Sequence, residues 1–304
     1  MNALFSEALQ AFRLNHAEFI QQHENAVYRA DDKYLLRIHK AAEGLHVDHD
    51  PTLRQAELAL LTHLADAGIY VQRPLAETNL SDGTQATLLT WLEGHHITEA
   101  EFTADIQRQI GAMVAKLHQV AADFHHDALR RYDAEHVARL ASVLQAMGER
   151  HQLNMDEIDI VCQAAHIIEE RLRMASDAFI PIHCDLSQSN LLLTDKGPVP
   201  IDFSLCGVGH PMHDLGILLG NVRSQAQRSA IAEGYTAAGG RIELPLLDAG
   251  YTLGLLEALA FHADVWPREG WFAPRLSRWV KEQLQPLAEG KALLDETMYL
   301  LNLT

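Results

Sequence analysis

The sequence is poor in basic residues. Its 24 Lys and Arg stand against 41 Asp and Glu, a formal net charge of −17. A nucleic-acid partner wants a basic face, so this balance argues against one. An acidic surface keeps a protein soluble and is compatible with a cationic small ligand. Cysteine is scarce as well: Cys162, Cys184 and Cys206 are the only three, and no C-x-x-C occurs. An odd number without paired spacing gives no disulfide framework and points to a reducing compartment. No G-x-G-x-x-G is present, so the usual glycine-rich phosphate loop is not written into the chain. No apolar run approaches the ~20 residues a membrane helix needs. The first nineteen residues lack a basic segment followed by an apolar run and do not read as a signal peptide. These absences predict a cytoplasmic protein with neither a nucleic-acid nor a membrane partner. The 304 residues suffice for one large domain or two lobes.

The chain itself is β-rich first and helical afterwards. A helix is expected over residues 4–12. Ala26 to Arg29 and Tyr34 to Ile38 read as two strands around the turn Asp31-Asp32-Lys33. Leu53 to Ala67 carries a helical apolar period that Gly68 stops. A strand pair is expected near Val71 and over Ala86 to Thr90, with Ser81-Asp82-Gly83 as its turn. After Gly94 the apolar spacing becomes helical. Ile106, Ile110, Met113, Val114 and Leu117 form one stripe, and residues 137–147, 158–172, 212–238 and 249–263 continue the pattern. The reading is an α+β chain in two lobes. Residues 1–94 form a small β-rich lobe ending in a hinge at Trp91-Leu92-Glu93-Gly94, and residues 95–304 a larger helical one.

One β signal interrupts the helical half: PIHCDLSQSNLLLTDKGPVPIDF, from Pro181. Leu191 to Leu193 and Val199 to Ile201 flank Asp195-Lys196-Gly197, a short hairpin. His183, Asp185 and Asn190 precede it and Asp202 follows it. A hairpin joins its ends, so Asp185, Asn190 and Asp202 should converge. Carboxylates among strand formers must be paired, hydrogen-bonded or on a metal, or their burial is costly. Two carboxylates and an amide oxygen make a hard-oxygen set suited to Mg²⁺. Asp185, left off the metal, could accept a proton from a substrate hydroxyl. This fits the phosphoryl-transfer pattern, in which H-x-D-x-x-x-x-N supplies a base and a ligand and a later D-F the second ligand. Here Ser204 stands where that pattern has Gly. The 18 histidines include His46-x-x-His49 and His210-x-x-His213, but zinc wants three or four convergent ligands, and no third is indicated.

With these motifs the chain resembles the aminoglycoside phosphotransferase and choline kinase-like superfamily, over nearly its whole length. Ile110 to His118 resembles that family's helix ending in Leu-His, Asp214-Leu215-Gly216 its helix start after the metal-binding Asp, and Glu233-Gly234-Tyr235 its Gly-Tyr element. The resemblance implies a protein-kinase-like two-lobed fold, ATP and Mg²⁺ as cofactors, and transfer to the hydroxyl of a small molecule. It makes Asp185 the catalytic base, Asn190 and Asp202 the metal ligands, and His183 a residue that orders the loop, with a proton-transfer role as the alternative. In the small lobe, Gln22 to Tyr28 takes the place of the phosphate loop, with Asn25 at the nucleotide. Arg37 stands at the family's phosphate-clamping Lys, Lys40 is the alternative, and Glu57 is the ion-pair partner. Thr90 to Gly94, with Trp91 and Glu93, matches the segment that meets the adenine.

The same resemblance brings the acceptor in over the larger lobe. Residues 257–279 could wall it, with Glu257, Asp264, Glu269, Trp266, Trp271, Phe272 and Trp279. Carboxylates beside aromatic rings suit an ammonium group, which makes Glu257 and Trp271 the acceptor candidates. Arg268 and Arg275 would suit a substrate carboxylate instead. Amino alcohols, amino sugars and hydroxy amino acids fit these requirements. Two other readings stay open. The Gly-poor loop and Arg37 would suit a nucleotide-binding pseudokinase. A Ser/Thr protein kinase is the other, though no A-P-E segment follows Asp202.

Overall fold

Residues 25–30 alternate half-buried and buried side chains, the period-2 signature of a strand with one face on a core. They belong to the first of two compact units, Met1–His95 and His96–Thr304, in a computed structural model that describes residues 2–22, 25–39, 51–222 and 224–294. Among the described residues the first unit holds a five-stranded antiparallel sheet, ordered β1-β2-β3-β5-β4. Its strands are β1 (Ala17–Gln22), β2 (Asn25–Ala30), β3 (Tyr34–His39), β4 (Pro74–Asn79) and β5 (Gln85–Thr90). The turn between β2 and β3 places Asp31 and Asp32 at φ 46° and 57°, a left-handed pair that Asp tolerates and that matches the strand twist. One sheet face buries Tyr28, Leu36, Ile38 and Leu88 beneath α1 (Asn2–Ala11), with Phe5 against Tyr28 at 4.6 Å between ring centroids. The other face presents Arg37 to Glu57 on α2 (Pro51–Asp66).

Three features of this unit depart from the sequence reading. β1 was not expected; it is an edge strand that leaves Phe19 and Ile20 exposed, so its pattern is not that of a core element. The partner of β5 begins at Pro74 rather than near Val71, and an edge strand tolerates that Pro. Helix α2 starts at Pro51, whose missing N–H costs nothing at a first helical position. A two-residue strand, β6 (His95–His96), lies at the unit boundary.

The second unit is built on helices α3 (Ala104–Ala121), α4 (Ala134–His151), α5 (Met155–Met174), α6 (Pro211–Gly220), α7 (Gln225–Ala237), α8 (Leu244–Phe261), α9 (Phe272–Trp279) and α10 (Gln285–Ala288). The expected stripe on α3 buries Ile110, Val114 and Leu117. Glycines set the closest crossings. A Cβ on Gly111 of α3 would stand 1.9 Å from the Ile231 carbonyl oxygen of α7, and one on Gly234 of α7 would stand 2.0 Å from the Arg108 carbonyl oxygen. The expected continuous helix over 212–238 is two helices. Asn221 ends the first, and Ser224 with Gln227 forms a reciprocal capping box that starts the second.

Helix α8 amends the statement about apolar runs. It is long and apolar enough by length and composition to cross a membrane, with a mean hydropathy of 1.3, and 56% of it is buried. It packs on α4, α5 and α6, and a helix surrounded by others is apolar all round.

Two small strand systems position the site. The expected hairpin is β9 (Leu191–Thr194) and β10 (Gly197–Pro200), paired from Gly197 with Thr194 to Pro200 with Leu191. A three-stranded sheet, β7 (Arg130–Tyr132), β11 (Gly207–Gly209) and β8 (Ile180–Ile182), has β11 in the middle. There β11 runs parallel to β7 and antiparallel to β8.

Candidate active site

Strand β8 delivers the chain to His183, and the backbone then turns sharply. Cys184 has φ 66°, a left-handed conformation that is strained for a residue with a Cβ. The turn aims two successive amides at one carboxylate. His183 N–H donates to Asp214 Oδ2 at 2.8 Å and Cys184 N–H to Asp214 Oδ1 at 2.7 Å. Such a pair of amides is an anion-binding concavity. Asp214 stands in the first turn of α6, behind the N-cap His210 and Pro211, and is fully buried. Burial pushes its carboxyl up, but the His118 hydrogen bond, the charges of His118 and His183 and the backbone donor outweigh it and hold the group below the usual carboxylate range. His118 Nε2 lies 3.1 Å from Asp214 Oδ2, and its Nδ1 lies 3.0 Å from the Tyr235 hydroxyl.

The catalytic candidates follow. Asp185 N–H donates to His183 Nδ1 at 3.3 Å, so the ring proton sits on Nε2, which donates to the Ile201 carbonyl at 2.9 Å. Both ring nitrogens are committed to backbone groups at the two ends of the hairpin. Asn190 closes a short 3₁₀ turn before β9. Its Nδ2 donates to the carbonyl and to Oδ2 of Asp185, at 2.9 and 2.8 Å, and its carbonyl accepts from Ile201 N–H at 2.9 Å. Asp202 follows with φ 63° and an exposed side chain. Asp185, Asn190 and Asp202 therefore gather around one hairpin mouth.

With Nδ2 turned to Asp185, the Asn190 amide oxygen faces away from it. That oxygen, the exposed Asp202 carboxylate and Asp185 are all hard donors, a set that fits a divalent cation such as Mg²⁺. Burial pushes the Asp185 carboxyl up, the Asp202 charge adds to this, and His183 and Asn190 oppose it; the net direction is upward. Tyr132 braces the far side, donating its hydroxyl to the Leu205 carbonyl at 2.6 Å.

In the first unit, Arg37 Nη2 meets Glu57 Oε1 at 2.6 Å, and both side chains are buried. Asn25 is engaged by His39, whose Nδ1 lies 3.0 Å from Asn25 Oδ1 and whose Nε2 lies 3.0 Å from Thr87 Oγ1. Burial, with Arg37 and Arg54 nearby, pushes His39 down to about 2, so it is a neutral bridge. The Arg29 guanidinium lies 4.9 Å from the centroid of the Trp91 ring and pairs with the exposed Glu93 at 2.8 Å. Lys40, His23, Glu24, His46 and His49 lie outside the described residues.

The acceptor candidates need a closer description. Glu257 is not a lone wall carboxylate. His136 Nε2 lies 3.0 Å from its Oε1 and His213 Nε2 lies 3.1 Å from its Oε2. Burial would push the carboxyl up, yet the two imidazoles pull it down to about 2. Asp264 is paired with Arg150. Trp271 is 42% exposed, and Arg275 stands 5.8 Å from its ring centroid and 5.5 Å from that of Trp279. His118, Tyr235, Tyr132, His136 and His213 had no assigned roles in the sequence reading. Their partners lie 73 to 121 residues away, or 44 for His213 with Glu257, beyond the reach of any local pattern.

Known proteins with this architecture carry related names. The chain is 32% identical over 205 residues to homoserine kinase of Neisseria meningitidis serogroup B, covering 60% of this chain and 63% of that one. It is 24% identical over 234 residues to amicoumacin kinase of Bacillus subtilis, covering 71% and 66%. It thus spans just under two thirds of either relative. Among solved structures, an amicoumacin kinase in complex with AMP-PNP and Ca²⁺ superposes with a TM-score of 0.72 at 16% identity, over 99% of this chain and 98% of that one. A microcompartment-associated aminopropanol kinase gives 0.72 at 19% identity, over 96% and 99%. These establish a protein-kinase-like fold. The sequence model of the phosphotransferase enzyme family named for the aminoglycoside phosphotransferases matches residues 16–251, and the chain belongs to that family.

Proposed function

We propose that the chain transfers the γ-phosphoryl group of ATP to a hydroxyl of a small molecule. One observation carries this reading: Asp185, Asn190 and Asp202 meet at the mouth of one hairpin. Mg²⁺-ATP supplies the phosphoryl group and the charge neutralisation on which such transfers depend. Asn190 and Asp202 are the residues that would hold the cation, through their side-chain oxygens. Asp185, held at the edge of the set by Asn190, receives the acceptor's hydroxyl proton. His183 orders the loop and transfers no proton. Arg37, fixed by Glu57, takes the place of the phosphate-binding Lys, and its guanidinium offers several donors to phosphate oxygens. Asn25, Trp91 and Glu93 serve the nucleotide.

The acceptor class is an amine-bearing alcohol: an amino alcohol, an amino sugar or a hydroxy amino acid. Glu257, kept ionised by two imidazoles, and Trp271 are its candidate contacts. The names of the relatives, homoserine kinase and amicoumacin kinase, agree with such acceptors. The test is a coupled assay of ATP turnover against a panel of these compounds. Turnover by one of them, reduced about 10²- to 10⁴-fold in Asp185→Asn with nucleotide affinity retained, is the expected outcome. Mg²⁺-dependent ATP binding with no turnover across the panel favours the pseudokinase reading, which Arg37 and the Gly-poor loop motivate.

A further inference from the structure

We infer that His118 and Tyr235 are positioning residues for Asp185, acting through Asp214 and the backbone of residues 183–185. The inference rests on the phosphotransfer reading for its consequence and on geometry for its content. An unbroken series of hydrogen bonds runs from α7 to the catalytic loop. The Tyr235 hydroxyl reaches His118 Nδ1 at 3.0 Å, and His118 Nε2 reaches Asp214 Oδ2 at 3.1 Å. Asp214 holds the amides of His183 and Cys184 at 2.8 and 2.7 Å, and His183 Nδ1 accepts from Asp185 N–H at 3.3 Å.

Each link fixes the next. The Asp214 carboxylate only accepts, so it places a proton on His118 Nε2, and in that tautomer the Tyr235 hydroxyl donates to Nδ1. The donated hydrogen bond orients the Asp214 carboxylate, leaving Oδ1 to Cys184 and sharing Oδ2 with His183. The two amide bonds hold Cys184 at φ 66°, a conformation the residue would otherwise leave. The direction in which Asp185 leaves that turn follows. Tyr235 and His118 are both buried, so neither bond competes with water.

The helix crossing supports the same conclusion independently. Helices α3 and α7 approach so closely at Gly111 and Gly234 that a Cβ on either would lie within 2.0 Å of the facing carbonyl oxygen. Tyr235 directly follows Gly234, and His118 lies two turns beyond Gly111. The crossing brings the rings to 5.8 Å between centroids, edge to face. A merely space-filling contact between two helices would not need a hydroxyl and an imidazole aligned on a buried carboxylate.

The test compares Tyr235→Phe, His118→Leu and His118→Gln in the full chain. Gln can place an amide N–H where Nε2 stands; Leu cannot. With an acceptor in hand, His118→Leu should lower kcat about 10²-fold, the effect of displacing a catalytic group by ~1 Å, with the KM for ATP nearly unchanged. His118→Gln should restore most of it. Tyr235→Phe should lower kcat roughly threefold to tenfold, the worth of one hydrogen bond, and should add nothing on the His118→Leu background. Equal losses in Gln and Leu, or additive losses in the double variant, would overturn the inference. A readout free of turnover separates it from the phosphotransfer reading. Nitrogen NMR of His118 should show the Nε2–H tautomer. The amide signals of His183, Cys184 and Asp185 should move in His118→Leu and return in His118→Gln. An Nδ1–H tautomer or unmoved amides sinks the positioning role even if the enzyme turns over. If the amides respond but no acceptor is phosphorylated, it is the proposed reaction that fails. Should His118→Leu not fold, the volume-conserving Tyr235→Phe carries the same amide test.

Discussion

The two units each bury a charge, and they satisfy it by different devices. In the first, Arg37 is held through its side chain by a carboxylate, Glu57, at 2.6 Å. In the second, Asp214 is held by two main-chain amides and one imidazole. A side-chain pair fixes the position of a side chain and leaves the strand beneath it free to be what it already is. A carboxylate bound by consecutive amides dictates the backbone itself, here a left-handed turn at Cys184. The first device suits a group that must present charge, the second a loop that must present several groups at once.

The contrast breaks most sharply under deletion and rescue. Asp214→Ala strands two buried amide donors at about 1–3 kcal/mol each, and it should abolish turnover with the loop displaced. Removing His118 as well should rescue nothing, because the amides remain. Arg37→Met leaves a buried Glu57 charge and should cost about 3–5 kcal/mol, whereas adding Glu57→Leu should recover most of that loss, since well-packed apolar residues replace a buried pair at little cost. Urea denaturation of the four variants decides between the devices. Recovery in the Asp214 series, or none in the Arg37 series, would erase the distinction.

A smaller effect is expected at the crossing of α3 and α7. Gly234→Ala puts a methyl against the Arg108 carbonyl and should destabilise by about 1–3 kcal/mol, the usual cost of overpacking. Calorimetric melting tests this, and an unchanged melting temperature would mean that the helices part without penalty.

The smallest effect concerns pH. Glu257 sits in the folded chain at about 2 against an ordinary 4.5. Its contribution is therefore present above about pH 4.5 and is lost as pH falls toward about 2. His213 is raised: burial pulls it down, but the Glu257 charge more than compensates. Its contribution is full below its ordinary value of 6.5 and is lost as pH rises through the higher folded one. Glu257→Gln should flatten the stability profile on both wings. Equal slopes in variant and wild type would show that the imidazoles do not sense the carboxylate.

Much of this arrangement was legible in the sequence, for reasons that differ by element. The stripe of α3 and the hairpin β9–β10 are local, and their periodicity and turn residues suffice. So is the convergence of Asp185, Asn190 and Asp202, since it needs only that a hairpin close. The break between α6 and α7 was missed although Ser224 and Gln227 announce a helix start. The apolar period continues across it and masked the cap. Strands β7, β8 and β11 are three residues each, too short for a period to register. Glu257 looked like a free carboxylate because its partners, His136 and His213, come from other helices. Lone histidines in a chain of 18 carry no positional signal of their own.

The small sheet of β7, β11 and β8 has a consequence for the order of folding. Its strands come from residues 130–132, 180–182 and 207–209, and the parallel pair β7–β11 closes a loop that the intervening helices must first organise. Loop-closure entropy has to be overcome before such contacts return anything. Helical signal should therefore appear early in refolding, and catalytic competence should lag behind it, because the strand that feeds His183 has no partner until β11 has formed. A chain still emerging from the ribosome, with Gly207 not yet available, would have its helices α3 to α5 and Asp185, but not the sheet that positions the loop.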